Sequence, residues 1–423
     1  MNKYVLLITS IILSISVQAQ FDQYFLDKTL RVDYVHSGNH DTEVYALDEL
    51  LEEPFWGGSK YNLIDTMAYG NYYLNVFDLE TDELIYSRGY CSLFGEYQTT
   101  EESKELWKAF EETVVMPYPK KEIRLELSAR NKKAQMIKKF EYVIDSQSYF
   151  IKTEHRLEFP VKDIHISGDP ATKVDVVILP EGYTADQLKK FEKDCEAFAE
   201  YLFSFAPFSE NEDQFNIRAV MAPSQESGTD MPGKRKWKKT VMNSMFWTFD
   251  SERYCMTEDV KSVRDLAANT AYDQIYILVN TTKYGGGGIF NHYNVSSIRN
   301  VESAKIVIHE FGHGFAGLAD EYYDNSTSYS EFYPLEAEPW EPNITTLVDF
   351  DSKWKHLLDH DTKIPTPATE MNADMMGVYE GGGYSAKGIY RPKQDCLMHT
   401  FKGEEFCGAC QEAIQEMINF YTK

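Results

Sequence analysis

Cysteine is scarce in this 423-residue chain: six residues in all, Cys91, Cys195, Cys255, Cys396, Cys407 and Cys410. That is too few for a disulfide scaffold at this length, so apolar packing must build the core. Basic residues are also short, with 42 Lys and Arg against 67 Asp and Glu and a net charge of −25. So acidic a surface excludes nucleic acid as a main partner, because phosphate binding requires clustered Lys and Arg. After residue 19 no apolar run approaches the ~20 residues that cross a bilayer, which excludes an integral membrane segment in the rest of the chain. Pro (15) and Gly (24) are too few for a collagen-like fibre or wholesale disorder. The glycines Gly285 to Gly288 lack the Gly-Lys-Ser/Thr of a phosphate loop. There is no internal repeat.

What is present suffices for two or three domains: 43% of residues are hydrophobic and 14% aromatic. The first 19 residues have the layout of a secretory signal peptide. Lys3 is the positive start, Val5 to Val17 the apolar stretch, and Val17-Gln18-Ala19 a small-residue cleavage site. No Cys follows that site, so no lipid anchor is expected there. A secreted or periplasmic protein is predicted.

Residues 20–160 read mostly as strand, predicting an antiparallel β-sandwich-like domain. The clearest strands are Tyr72–Phe77, Glu83–Tyr86, Glu122–Leu127, Lys139–Ile144 and Tyr149–Glu154, with one helix expected over Glu101–Val114. From residue 165 to 423 the order changes. Val174–Pro180 and Gln274–Val279 are continuous apolar runs of buried strands, and Phe215–Met221 is a further strand. Amphipathic stretches over Thr184–Phe205 and Asp259–Asn269, and a closing helix near Glu404–Tyr421, complete an α/β layer. The fold class is therefore α+β. The basic run Lys234 to Lys239 is read as a solvated loop.

The segment Ile308-His309-Glu310-Phe311-Gly312-His313 carries H-E-x-x-H on a helix-compatible stretch. Four helical residues advance about 400°, so both imidazoles share one face and can reach one zinc ion at roughly 2.0–2.1 Å. Glu310 sits about 100° around, toward the attacking water rather than the metal. Metzincin peptidases extend the motif to H-E-x-x-H-x-x-G-x-x-H, a glycine turning the chain so that a third ligand swings back. Here the glycine is Gly317, one place late, and Ala319 holds the ordinary third-ligand position. Asp320, displaced by the same one residue, is the first candidate for third ligand, then Glu321, with Glu331 or Glu336 behind. Upstream, Tyr284–Ile289 follows a strand and is either a flexible loop or an edge strand to which a peptide adds. Cys407-x-x-Cys410 with nearby Cys396 fits a three-thiolate zinc site or, preferred in an exported protein, a local disulfide. Cys91 is read as buried or disulfide-bonded in preference to a thiolate that blocks the zinc.

These residues look familiar. His309 to Tyr322, the glycines of Tyr284–Ile289, and the tail from Glu380-Gly381-Gly382-Gly383-Tyr384 through Arg391-Pro392 to Cys396-Leu397-Met398 resemble the IgA-peptidase family of zinc metallopeptidases, in the metzincin clan. The resemblance implies a metzincin-like zinc peptidase domain with a mixed sheet and an active-site helix. It implies Zn2+ on His309, His313 and Asp320, Glu310 as catalytic base, and Met398 as the turn beneath the metal. Some metzincins hold the oxyanion with a Tyr two residues after that Met; here Thr400 stands there, leaving Tyr390, Arg391 or His399 for the role. The expected activity is endopeptidase action on protein substrates, immunoglobulin A among them. The alternatives are an exported β-sandwich adhesin or glycan-binding protein with a degenerate peptidase domain, and a zinc amidase acting on cell-wall material.

Overall fold

The computed structural model describes residues 20–323 and 333–423. The signal-like segment 1–19 and Glu331 lie outside the described residues.

The N-terminal strands are β1 Phe25–Gly38, β2 Glu43–Glu53, β3 Tyr72–Asp78, β4 Leu84–Tyr90, β5 Lys108–Pro119, β6 Ile123–Arg130, β7 Met136–Ile144 and β8 Ile151–Lys152. They form two four-stranded sheets, β5-β1-β2-β8 and β4-β3-β6-β7. All pairings are antiparallel except β2 with β8. Leu30, Val32 and Tyr34 of β1 share one buried core with Leu74 and Val76 of β3 and Leu125 and Leu127 of β6, so the two sheets enclose it. Successive strand residues point to opposite faces, and the intervening β1 residues Arg31 and Asp33 therefore point the other way.

The expected helix over 101–114 is a correction. A short 3-10 turn spans Glu102–Lys104, and β5 follows, paired along its length with β1. Local charge suggested helix, but the β-branched Thr113-Val114-Val115 and a long partner strand decide for sheet. The strand expected at 149–154 shrinks to Ile151–Lys152. A short helix α1, Leu93–Tyr97, connects β4 toward β5.

The second half is built on a six-stranded sheet. Its strands are β9 Val161–His165, β10 Val174–Glu181, β11 Phe215–Val220, β12 Gln274–Val279, β13 Gly286–Ile289 and β14 Tyr293–Ser297, in the order β13-β14-β12-β10-β11-β9. The three inner pairings are parallel and the two outer ones antiparallel, making the sheet mixed. Helix α2 Leu188–Leu202 enters through a capping box of Thr184 and Gln187, and α3 Val260–Ala267 is capped by Asp259, which accepts from the Ser262 N–H. Helix α4 Ser303–Ala316 packs Val307, Phe311 and Phe315 into the core shared with β10–β12. Strands β15 Tyr379–Gly382 and β16 Ser385–Arg391 form a hairpin, and α5 Gly408–Thr422 closes the chain, starting four residues later than expected. No helix among the described residues is long and apolar enough to cross a membrane. Lys234 to Trp237 are exposed, as expected of a solvated loop.

Helix α3 packs against β5 beside β1, and charge joins it to β1. The Arg31 guanidinium, 1% exposed, bonds Asp33 through Nε at 2.7 Å and reaches Asp265 of α3 through Nη1 at 2.6 Å. Thr113 donates to Asp33 at 2.7 Å. Removing the cation leaves buried carboxylates uncompensated, a cost of about 3–5 kcal/mol. Arg31→Met is accordingly expected to lower the urea midpoint of the protein clearly; an unchanged midpoint would show that the network contributes nothing net.

Candidate active site and metal centre

Helix α4 has two faces. Its apolar face is buried, with Phe311 stacked on Phe315 at 5.1 Å between centroids. The other face carries His309, Glu310 and His313 toward a cavity of about 750 Å³. The His309 and His313 Nε2 atoms stand 3.1 Å apart. Each ring is oriented from behind: His309 Nδ1 lies 3.0 Å from the Leu397 carbonyl and His313 Nδ1 2.6 Å from the Leu318 carbonyl. A carbonyl only accepts, so Nδ1 carries the proton in each ring and both Nε2 lone pairs aim into the cavity.

The helix stops where the chain must turn. Gly317 takes the left-handed conformation (φ 63°) as C-cap, and a Cβ there would stand 2.7 Å from the Trp340 ring. Three residues on, Asp320 Oδ1 lies 3.1 Å from His309 Nε2 and 3.4 Å from His313 Nε2. Its other oxygen accepts from Tyr384 Oη at 2.5 Å. Asp320 is 6% exposed, and Oδ1 faces the two imidazoles. With both imidazoles neutral, as metal binding requires, three lone pairs meet at one point. Ligands about 2.0–2.1 Å from a tetrahedral zinc ion would be ~3.3 Å apart, which matches this triangle. The donor set fits a zinc ion.

Of the alternatives for the third position, Ala319 is buried without a donor, Glu336 is exposed, and Glu321 turns away from the histidines. Glu310 also brings an oxygen within 4.8 Å of both rings, so two carboxylates flank the pair; Asp320 is the nearer. Burial holds the Glu310 carboxyl above its ordinary range against the pull of His309 and His313. Burial lowers His313, but the Asp320 carboxylate outweighs it and raises the imidazole to about 9, so without an ion a proton occupies the Nε2 position that a metal would take. The same histidines, chiefly His313, hold Asp320 well below the usual carboxylate range although burial opposes them.

Tyr284–Ile289 resolves into two loop residues, Tyr284 and Gly285, and an edge strand, β13, antiparallel to β14. It lies so close to α4 that a Cβ on Gly288 would be 2.2 Å from the Glu310 carbonyl. Outward on β13, Gly286 donates to the Arg253 carbonyl and accepts from the Cys255 N–H. Alternation along the strand points the Gly288 peptide groups the same way, and Gly288 lines the cavity. Met398 is fully buried beneath α4, its Sδ 3.2 Å from where a Cβ on Gly312 would stand. Of the expected oxyanion candidates, His399 lines the cavity, as does Thr400, whose hydroxyl donates to Asp395 at 2.8 Å. Arg391 is spent on the carbonyls of Glu380 and Gly381.

Sequence reasoning missed part of this cavity. Its wall includes Asn71, Cys91, Ser92 and Glu96 from the β-rich half, where no chemistry was expected. Tyr254 donates to Glu96, and burial pushes that carboxyl up to about 7. Trp340 lines the same cavity and donates to Asn71 at 2.9 Å. Cys91 is half-buried, and its Sγ accepts from the Asn71 N–H at 3.4 Å rather than joining the histidines. Tyr384 stands within the quoted tail motif, but nothing local announced its bond to Asp320. The expected disulfide among Cys396, Cys407 and Cys410 is also a correction: all six cysteines are unpaired, and these three sulfurs instead surround Glu321.

Two family models match the chain. One, described as IgA peptidase M64, matches residues 162–374 and 368–418. The other, described as the peptidase M64 N-terminus, matches residues 20–141. No curated protein matches it.

The left-handed turn at Gly317 is what returns Asp320 to the histidines. Gly317→Ala adds roughly 1–2 kcal/mol of backbone strain and a clash with Trp340. A weaker affinity for zinc, read by chelator competition, is expected along with a lower Tm; unchanged affinity would mean that Asp320 does not bind the ion.

Proposed function

The chain belongs to the IgA peptidase M64 family, and on that premise we propose that it is an exported zinc endopeptidase in which His309, His313 and Asp320 hold the metal and Glu310 is the general base. The observation that carries the proposal is the convergence of two Nε2 atoms and Asp320 Oδ1, 3.1 to 3.4 Å apart, at one point. Like charges and lone pairs are not left facing one another in a protein interior unless a cation or proton lies between them.

A zinc ion held by His309, His313 and Asp320 would supply Lewis acidity, lowering the pKa of water toward ~7 and polarising a carbonyl. Glu310 takes the proton of the attacking water and delivers it to the leaving amine. Its raised basicity suits that exchange near neutral pH. Leu397 and Leu318 hold the rings in the tautomer that leaves Nε2 free. Tyr384 restrains the second oxygen of Asp320. A peptide is proposed to lie along β13, with the outward groups of Gly288 bonding its backbone as an added strand. Immunoglobulin A is the first substrate to test, because the family is described by it.

Two measurements bear on this reading. Glu310→Gln is expected to keep one zinc at this site and lose cleavage of immunoglobulin A and casein by about 100-fold or more. His309→Ala and Asp320→Ala are expected to lose the zinc as well. An active Glu310→Gln enzyme would refute the assignment. The pH profile supplies the second: protonation of Glu310 and of the ligands both disable the site, so kcat/KM should fall as pH drops and protons compete with the metal for His309 and His313. A kcat/KM that shows no acid limb would contradict it.

A further inference from the structure

A second set of side chains converges behind the first. Cys396 lies two residues before Met398, Cys407 is the N-cap of α5, Cys410 is in its first turn, and Glu321 directly follows Asp320. One donor atom of each lies within 4.8 Å of all the others, and all four residues are buried. Cys407 and Cys410 Sγ are 3.5 Å apart, and Cys396 and Cys410 Sγ 3.9 Å. Glu321 Oε1 is 3.4 Å from Cys410 Sγ and 4.0 Å from Cys407 Sγ.

These spacings discriminate between chemistries. Sulfurs at ~2.3 Å from a tetrahedral zinc ion stand about 3.8 Å apart, and a sulfur and an oxygen ligand about 3.5 Å. A disulfide needs ~2.05 Å, and it would join only two of the three thiols. The surroundings also suit thiolates. Cys396 Sγ accepts the backbone N–H groups of Met398 at 3.5 Å and Cys407 at 3.4 Å. Cys407 and Cys410 sit at the positive end of a 15-residue helix. Glu321 Oε1 is oriented by Asn343 Nδ2 at 3.0 Å, while Oε2 is buried with no partner at all. A fully buried carboxylate oxygen with nothing to bond is a costly arrangement that a cation relieves.

We propose that Cys396, Cys407, Cys410 and Glu321 bind a second zinc ion, structural in role. Four protein ligands close its coordination, leaving no position for substrate or water. Binding exchanges the thiol protons for the ion. Its position explains what it holds. The Glu321 N–H donates to the Met398 carbonyl at 2.7 Å, and the Leu397 carbonyl orients His309. The ion therefore joins the start of α5, the turn under α4 and the segment carrying Asp320, bracing the first site from below.

The test is metal content and cobalt spectroscopy on the purified protein. Wild type is expected to carry two zinc ions per chain, and the His309→Ala/His313→Ala double variant one. Loaded with Co2+, that double variant should show the intense near-ultraviolet sulfur-to-cobalt charge-transfer band of a tetrahedral thiolate site, which the sulfur-free first site cannot produce. Cys410→Ser should lose one zinc and lower the Tm; if it does not fold, the double variant alone decides. A double variant with neither metal nor charge-transfer band would overturn the proposal. So would a mass, after alkylation in denaturant, showing any two of these cysteines paired. Sulfur-bound metal in a protein without peptidase activity would leave this inference standing and sink the peptidase reading, so the two fail separately.

Discussion

The organisation of the catalytic half turns on one electrostatic constraint. Two imidazole nitrogens and a carboxylate oxygen, 3.1 to 3.4 Å apart, face the same point, where a proton or a metal ion must lie between them. Such an arrangement is unfavourable alone and favourable around a cation. Much of the surrounding structure serves to keep it in place. Carbonyls of Leu318 and Leu397 fix the rings, the left-handed Gly317 turns the chain, and Tyr384 restrains the second oxygen of Asp320. The core beneath α4, built from Phe311, Phe315 and Met398, makes the helix a rigid platform for its polar face.

Seen from this point, the β-rich half has a use beyond its own stability. It is tied to α3 through Arg31 and Asp265, and it sends Asn71 and Cys91–Glu96 to the wall of the cleft. Glu96 and Tyr254, from different halves of the chain, bond across that wall. A cleft made by both halves gives the N-terminal sandwich a direct part in what can reach His309, Glu310 and His313.

What was legible in the sequence was whatever a short stretch determines. H-E-x-x-H on an apolar helix announces its own geometry, because i and i+4 share a face. The joint displacement of Gly317 and Asp320 by one residue pointed to the carboxylate that the fold brings to the histidines. Continuous apolar runs at 174–180 and 274–279 marked the buried parallel strands for the same local reason. What depended on distant partners was not legible. β5 read as helix until β1 lay beside it. Cys396, Cys407 and Cys410 looked like a disulfide because Glu321, 75 positions before Cys396, gives no sign in the sequence that it completes their set. The Tyr384 bond to Asp320 and the contribution of Glu96 to the cleft likewise exist only in three dimensions.

The central claim is that a zinc ion lies between His309, His313 and Asp320. Anomalous diffraction from crystals of the protein, recorded on both sides of the zinc edge, tests it most directly. The account predicts a peak within about 2.0–2.2 Å of both Nε2 atoms and one Asp320 oxygen, with Glu310 near but not bound. No peak at that point, or one ligated by Glu310 while Asp320 stands off, would contradict it.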